Sequence, residues 1–216
     1  MKAQEIIDSV KSKKLIAVIT INDAKNAVPL AKALYNGGIS AIELTLRTDA
    51  ALESIKRIRA EVPEMVVAAG TVLTPKQIDE VVKAGAHWAV APGTNPRVLQ
   101  AAQDAGLFFA PGIMTPSDIE AALEFGCRLL KFFPAGTTGG MKHLKAMSAP
   151  YNHLGLSYIP LGGVNTTNLA DFVSDPLIAA VGGSWLAKPD QIKNAEFDKI
   201  QAQAEEAAKI IASVNK

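Results

Sequence analysis

The stretch VVAAGTVLTPKQIDEVVKAGAHWAVAP, residues 66–92, decides the fold of this chain. It begins with a short β-rich run (66–70) and then reaches a Thr-Pro pair, which is typical of a helix N-cap followed by proline at the first helical position. An amphipathic segment follows, and a second β-rich run, WAVAP (88–92), ends the stretch. This order predicts one strand–helix–strand unit.

The same unit recurs along the chain. The other β-rich runs are LIAVIT (15–20), AIELTL (41–46), FFAPG (108–112), LLKFFP (129–134), YIPLGG (158–163) and IAAVGGS (178–184). Eight runs separated by helical segments predict an α/β fold, a single (β/α)8 TIM barrel over residues 1–216, with an extra N-terminal helix near 3–11 and a closing helix near 196–213. A doubly wound open sheet is the alternative, but it usually has fewer strands, and no glycine-rich fingerprint follows the first run.

The composition favours one well-cored soluble domain. The chain is 49% hydrophobic, and its 22 basic and 21 acidic residues leave a net charge of +1, so we expect neither a nucleic-acid nor a membrane partner. Cys127 is the only cysteine, and the three histidines lack metal-ligand spacing, so we expect no disulfide, metal or cofactor. The first residues lack the apolar core of a signal peptide, which favours a cytoplasmic location.

Lys131 stands inside the apolar run LLKFFP. Apolar surroundings penalise a charged ammonium and favour the neutral, nucleophilic amine of a lysine. Strand alternation places Leu129, Lys131 and Phe133 on one face. A purely structural lysine, which reaches solvent or pairs with a carboxylate, is the alternative interpretation.

The run AIELTLR (41–47) carries polar residues toward the carboxyl end of its strand, where TIM-barrel active sites lie. Alternation predicts Glu43, Thr45 and Arg47 on the inner face. An amine at Lys131, an acid–base carboxylate at Glu43 and a guanidinium at Arg47 match Schiff-base chemistry on a small 2-oxo acid, with Arg47 binding the substrate carboxylate. Glu43 and Arg47 as an ordinary ion pair are the alternative.

The last two predicted strands end in glycine pairs. Gly162 and Gly163 end the seventh run, and Gly182 and Gly183, followed by Ser184, end the eighth. In many barrels these two loops bind phosphate through backbone N–H groups, so the pairs predict a phosphorylated ligand. Thr71, at the end of AAGT, is a candidate hydrogen-bond donor to substrate.

The segments IELTLRT, AAGTVL, APG, LLKFFPA, LGGVN and VGGSW occur in an order that resembles the bacterial 2-keto-3-deoxy-6-phosphogluconate (KDPG) and 2-keto-4-hydroxyglutarate (KHG) aldolases. The resemblance runs from about residue 15 to 185. It implies a class I, metal-independent homotrimeric lyase that cleaves KDPG to pyruvate and glyceraldehyde 3-phosphate, or 4-hydroxy-2-oxoglutarate to pyruvate and glyoxylate.

The resemblance also implies a role for each matching position. Lys131 forms the Schiff base, and Glu43 transfers protons. The remaining positions bind the carboxylate (Arg47, Thr71), line the pocket wall (Pro92, Phe133) or bind phosphate (Gly162, Gly163, Gly183, Ser184). The sequence departs from the family pattern in three places. Leu161 replaces a common threonine before the Gly-Gly pair, Gly136 replaces an acidic residue in FFPAE, and the segment YNHLGLSY (151–158) is slightly longer than its counterpart.

Other functions stay open from the sequence. A related aldolase could act on another 2-keto-3-deoxy sugar acid phosphate. An epimerase or isomerase barrel would bind phosphate without covalent catalysis, but it would not need Lys131. A metabolite-binding protein without activity is the non-enzymatic alternative, and Leu161 favours it most.

Overall fold

The computed structural model describes residues 3–214 and has an α/β fold. Nine strands lie in this range: β1 (Leu15–Ile19), β2 (Ala41–Thr45), β3 (Val66–Gly70), β4 (Trp88–Val90), β5 (Phe109–Ala110), β6 (Gly112–Ile113), β7 (Leu129–Phe132), β8 (Ser157–Pro160) and β9 (Val181–Gly183). The same range contains ten α-helices: α1 (Ala3–Lys13), α2 (Ala27–Asn36), α3 (Ala51–Glu61), α4 (Pro75–Lys83), α5 (Pro96–Asp104), α6 (Pro116–Glu124), α7 (Gly140–Ser148), α8 (Leu169–Val173), α9 (Pro189–Lys193) and α10 (Phe197–Val214).

The strands pair in parallel and form two sheets. One sheet has the order β5–β4–β3–β2–β1–β9, and the other has the order β6–β7–β8. Two isolated parallel bridges, Tyr158–Ile178 and Leu161–Gly182, connect the β8 region to the β9 region. Each predicted β-rich run contains strand residues, so the predicted alternation of parallel strands and helices is confirmed.

The fifth predicted run differs from the others because it is divided into β5 and β6. Pro111 separates the two pieces and has no N–H group to donate to a neighbouring strand. Its carbonyl still accepts a hydrogen bond from the Lys131 N–H at 2.9 Å. Ala110 pairs with Val90 of β4, whereas Gly112 pairs with Lys131 of β7, so the division places one run in both sheets.

The predicted Thr-Pro helix start is confirmed in α4, and α6 begins in the same way. Thr74 accepts a hydrogen bond from the Gln77 N–H, and the Gln77 side chain accepts one from the Thr74 N–H. Thr115 and Asp118 form the equivalent capping box in α6. Each box satisfies two N–H groups that a helix start would otherwise leave unpaired, which fixes the point where the chain leaves the preceding loop.

Two apolar cores lie on opposite faces of the strands. The larger one joins outward strand residues such as Ile42 and Leu44 to the helices. The smaller one, here called the inner core, contains residues from α1 and from the strands: Ile6, Val10, Ile16, Ala41, Ala68, Trp88, Val90, Ala110, Leu129, Ile159, Ala179 and Ala180. Ala41 and Leu129 each stand two residues before a buried charged side chain, so alternation puts Glu43 and Lys131 on the inner face.

Within the part of the chain that the structure describes, no helix combines sufficient length with sufficient apolar character to cross a membrane. The longest helix, α10, has 18 residues and buries only one side of its surface, through Ile200, Ala204 and Ala207. It therefore packs on the fold as an amphipathic helix.

Candidate active site

The centre of the candidate site is an ion pair between β7 and β2. Lys131 Nζ lies 3.0 Å from Glu43 Oε1, and the two residues are only 5% and 2% exposed. A buried charge without a partner is costly, whereas a charge-assisted hydrogen bond compensates much of that cost. The structure thus brings together the two side chains that the sequence predicts to cooperate, at a distance suited to direct proton transfer.

Gly70 of β3 makes room for the Glu43 carboxylate. Glu43 pairs with Ala68 in the β2–β3 register, and its side chain extends over Gly70, two residues further along. A Cβ atom added at Gly70 would lie 2.7 Å from both Cγ and Cδ of Glu43 and would overlap Oε1. The absence of a side chain at residue 70 therefore determines where the carboxylate stands.

The ring of Phe133 links the amine to the first glycine loop. Lys131 Nζ is 5.7 Å from the ring centroid, within the range of a cation–π contact. The same ring lies so close to Gly162 that a Cβ there would be 3.1 Å from Cε2. Phe133 therefore contacts both the amine and the glycine loop, and its predicted role in the pocket wall stays a prediction.

Arg47 lies beyond the end of its strand, which differs from the predicted alternation. β2 ends at Thr45, and the Arg47 N–H donates to the Thr45 carbonyl at 2.8 Å, so the backbone turns before residue 47. Glu43 and Thr45 are buried, but Arg47 is exposed in the bend. Its guanidinium makes no hydrogen bond or ion pair with any other residue of the range 3–214, which leaves all its donors available.

Thr71 is the first residue after β3 and has a left-handed backbone, with φ of +59°. Non-glycine residues seldom adopt this conformation, and they concentrate at functional sites. The conformation follows directly after Gly70, next to the Glu43 carboxylate. The half-buried Thr71 hydroxyl has no hydrogen-bond partner within the described chain.

Pro92 follows β4 and is exposed. Its carbonyl group packs so tightly against Gly112 that a Cβ at residue 112 would overlap it. Gly112 is also the register partner of Lys131. The Pro92 backbone therefore contacts β6, the strand that pairs with β7, and the predicted role of Pro92 in the pocket wall stays a prediction.

The Gly162–Gly163 pair forms a left-handed turn directly after Leu161. The φ angles are +90° and +87°, a conformation that glycine adopts at little cost and other residues rarely adopt. The N–H groups of both glycines find no acceptor among residues 3–214. Two adjacent free N–H groups in a turn are the usual components of a backbone anion site.

Gly183 and Ser184 lie at the end of β9. Gly183 lies under the Trp185 ring, since a Cβ there would be 2.7 Å from Cζ3, while Ser184 is exposed. The bridge between Leu161 and Gly182 connects this strand end to the Gly162–Gly163 turn. The two glycine segments that the sequence predicts to cooperate are therefore neighbours.

Sequence reasoning did not identify Gly70, although its signal was present. A glycine inside a strand pattern often marks the close approach of another group.

The cysteine and histidine spacing of the sequence predicts no metal site. Within residues 3–214, no group of three or more histidine, cysteine, aspartate and glutamate side chains is arranged to hold a metal ion.

Comparison with known proteins agrees with this geometry. Residues 6–203 match the family described as KDPG and KHG aldolase. The chain belongs to this family. A family member from Dickeya dadantii (strain 3937), a 2-dehydro-3-deoxy-phosphogluconate aldolase, is 42% identical over 193 residues, which cover 89% of this chain and 90% of the relative.

Two solved structures of family members are similar to this fold. The KDPG aldolase of Zymomonas mobilis ZM4, solved with 3-phosphoglycerate, has a TM-score of 0.85 and 38% identity, covering 94% of this chain and 95% of that one. The enzyme from Legionella pneumophila, with pyruvate captured as a covalent carbinolamine, has a TM-score of 0.88 and 35% identity, covering 93% and 97%. Family membership therefore extends over nearly the whole chain.

Proposed function

We propose that this protein is a class I aldolase that cleaves KDPG to pyruvate and glyceraldehyde 3-phosphate through a Schiff base on Lys131. The observation that carries the proposal is the buried pair of Lys131 and Glu43. A lysine and a carboxylate held 3.0 Å apart on the inner face match an amine nucleophile with its proton carrier.

The chemistry can be followed proton by proton. Glu43 accepts a proton from the Lys131 ammonium, and the neutral amine attacks the C2 carbonyl to give a carbinolamine. Loss of water, with a proton returned by Glu43, gives the iminium. The Glu43 carboxylate then removes the C4 hydroxyl proton, the C3–C4 bond breaks, and its electron pair enters the iminium to form an enamine. C4 becomes the aldehyde carbon of glyceraldehyde 3-phosphate, which leaves. Protonation at C3 and hydrolysis of the iminium release pyruvate and regenerate the amine.

Arg47 and Thr71 are proposed to hold the substrate carboxylate. Both side chains have unused hydrogen-bonding capacity in the described chain, and Thr71 lies one residue from the glycine under Glu43. The fork of an arginine guanidinium fits a carboxylate with two parallel hydrogen bonds. Holding the carboxylate fixes the keto carbon relative to the amine. This lowers the entropic part of the activation free energy for attack by the amine.

The remote phosphate is proposed to bind Gly162, Gly163, Gly183 and Ser184. Free backbone N–H groups in the left-handed turn support this assignment, and so does the Zymomonas structure with its phosphorylated ligand. Pro92 and Phe133 would form the wall between the two ends of the substrate. Cleavage of 4-hydroxy-2-oxoglutarate is the second candidate reaction, since the matched family includes KHG aldolases.

Four wider expectations belong to the same proposal. The two sheets close into one (β/α)8 barrel, in which β5 and β6 together form the fifth strand. The barrel is a single domain over residues 1–216, acts in the cytoplasm and assembles as a homotrimer.

The exposed apolar side chains of Leu73 and Met114, in the loops after β3 and β6, support the proposed assembly. The mass of the protein in solution tests whether it is a trimer.

Covalent trapping tests the central step. Pyruvate with borohydride should give a reduced adduct on Lys131, detected by mass spectrometry of peptides. The Lys131→Arg variant should give no adduct and no cleavage. Lys142→Arg, which alters an exposed lysine of α7, is the matched control and should retain both. A folded wild-type protein that forms no adduct would refute the proposed function.

A further inference from the structure

We propose that the hydroxyl groups of Thr45 and Thr20, here called the hydroxyl path, connect the buried Glu43 carboxylate to solvent and let it exchange protons during turnover. The inference rests on the proposed aldolase function. It gives a role to two side chains that take no part in the steps on Lys131 and Glu43.

The burial of Glu43 is the reason that such a path is needed. Glu43 is only 2% exposed and Lys131 only 5%, so solvent does not reach the carboxylate directly. In the proposed reaction, Glu43 repeatedly takes up and returns protons. A buried carboxyl group exchanges its proton with water quickly only where hydrogen-bonding groups lead from it to the surface.

Thr45 is the first of these groups. Glu43 and Thr45 share the inner face of β2, and Thr45 is 5% exposed. Thr45 is the register partner of Gly70, and the Glu43 carboxylate occupies the place where a side chain of Gly70 would stand. Since neighbouring strands lie about 4.8 Å apart, about one strand spacing separates the carboxylate from the Thr45 side chain. One bridging water molecule spans polar groups at this separation, and the proposal places one there.

Thr20 continues the connection on β1. Val18 pairs with Glu43 in the register, so Thr20, two residues further on, lies opposite Thr45. The two hydroxyl oxygens are 2.9 Å apart, and either can be the donor. Because a hydroxyl group both donates and accepts, this pair can pass a proton in either direction by reversing its hydrogen bond.

The far end of the path reaches solvent. Thr20 is half-buried and lines a cavity of about 560 Å³ between the loop after β1 and α9. The Asn26 amide donates to the Ile192 carbonyl at 3.1 Å and holds the loop against this helix. Polar side chains, including Asn22 and Lys193, also line the cavity, which suits it to hold water.

Two threonines on neighbouring strands could instead only stabilise each other, and proton exchange separates the two roles. With pyruvate alone in D2O, Glu43 removes a C3 proton from the pyruvate iminium, which leaves the enamine. The carboxyl proton is replaced by a deuteron along the path, the deuteron returns to C3, and hydrolysis releases deuterated pyruvate. Cleavage of KDPG has no such requirement, because the proton taken from the C4 hydroxyl can pass directly to C3.

The test measures methyl exchange of pyruvate by proton NMR and KDPG cleavage by pyruvate release. In Thr45→Val and Thr20→Val, the ratio of the exchange rate to the cleavage rate should fall about 10- to 100-fold, since a placed proton-transfer group typically contributes about 10²–10⁴. Thr45→Ser and Thr20→Ser should keep the ratio within about twofold, because serine retains the hydroxyl. Thr48→Val is the matched control and should keep the wild-type ratio, since it removes a hydroxyl that bonds the Ile21 carbonyl of the same loop but leaves the path intact.

An unchanged ratio in the valine variants would overturn the inference, and so would exchange and cleavage that fall together, as a displaced Glu43 would produce. If Thr45→Val does not fold, Thr20→Val at the half-buried end of the path decides the same question. Absence of a borohydride-trapped pyruvate adduct on the unaltered protein would instead refute the proposed function, so the two failures are distinguishable.

Discussion

The Gly70→Ala variant tests whether the space above β3 positions the catalytic carboxylate. The new Cβ would lie 2.7 Å from Cγ and Cδ of Glu43. Since carbon atoms pack at about 3.5–4.0 Å, the carboxylate must move by about 1 Å. That displacement breaks the 3.0 Å hydrogen bond to Lys131, because the amine is carried by β7 in the other sheet and does not move with β3.

The expected cost has a catalytic and a structural part. General acid–base catalysis by a placed carboxylate contributes about 10²–10⁴ in rate, so kcat should fall by about that factor. This equals a barrier increase of about 2.7–5.5 kcal/mol. Overpacking should also destabilise the fold by about 1–3 kcal/mol, whereas glycine-to-alanine changes at compatible sites stabilise by about 0.4–1 kcal/mol.

Pyruvate release from KDPG measures kcat, and urea unfolding measures the free energy of unfolding. Gly93→Ala, at a glycine after β4 where a Cβ would have no atom within 4 Å, is the control and should keep the wild-type kcat. A folded Gly70→Ala enzyme with kcat within about threefold of wild type would show that the carboxylate tolerates displacement, and the argument from Gly70 would be wrong.

Two further predictions concern pH. Burial, with a further contribution from Arg59, lowers the pKa of His87 below its usual 6.5, and its Nδ1 accepts a hydrogen bond from the Val67 N–H that a protonated ring would lose. The resulting stabilisation is present above pH 6.5 and is lost as the pH falls. The free energy of unfolding in urea should therefore decline from pH 7.5 to 5, and His87→Gln should reduce this decline. An unchanged decline would contradict this assignment. Burial raises the pKa of Cys127 to about 11, so at pH 8 iodoacetamide should alkylate the native thiol about 100-fold more slowly than the denatured one, and comparable rates would contradict it.

The pairing of Lys131 with Glu43 could be predicted because strand alternation is a strong local signal. Each residue interrupts an apolar run, and each lies at an inward position of its own strand. Parallel strands that contribute to one interior bring such positions together whatever their separation along the chain. The predicted pair is therefore a consequence of two local patterns and one topology.

The position of Arg47 could not be predicted in the same way. The letters ELTLR continue the alternation, but the Leu46 N–H donates to the Gly70 carbonyl and the Arg47 N–H donates to Thr45, which turns the chain. The turn depends on where β3 ends, and that information lies outside the run. The contact between Gly136 and Gly163, where a Cβ at Gly136 would lie 2.9 Å from the Gly163 Cα, could not be predicted either. It joins two loops that carry no shared sequence pattern.

Glycines within the strands make room for a long lysine and a long glutamate on the inner face. The same face also carries the apolar inner core. Gly70 lies under Glu43, and Gly112 lies beside Lys131 in the register. Gly182 lies under Leu161, since a Cβ added at Gly182 would be 2.8 Å from Leu161 Cγ.

Each of these glycines removes a side chain from a layer near the carboxyl ends of the strands. The inner core below keeps its apolar side chains, including the 1% exposed Trp88 and the α1 residue Ile6. The apolar side chains pack beneath the ion pair, and Glu43 occupies the space that Gly70 leaves. The glycine in β3 therefore allows a long carboxylate side chain to be buried beside Lys131, which is the arrangement that a Schiff-base lysine and its proton carrier require.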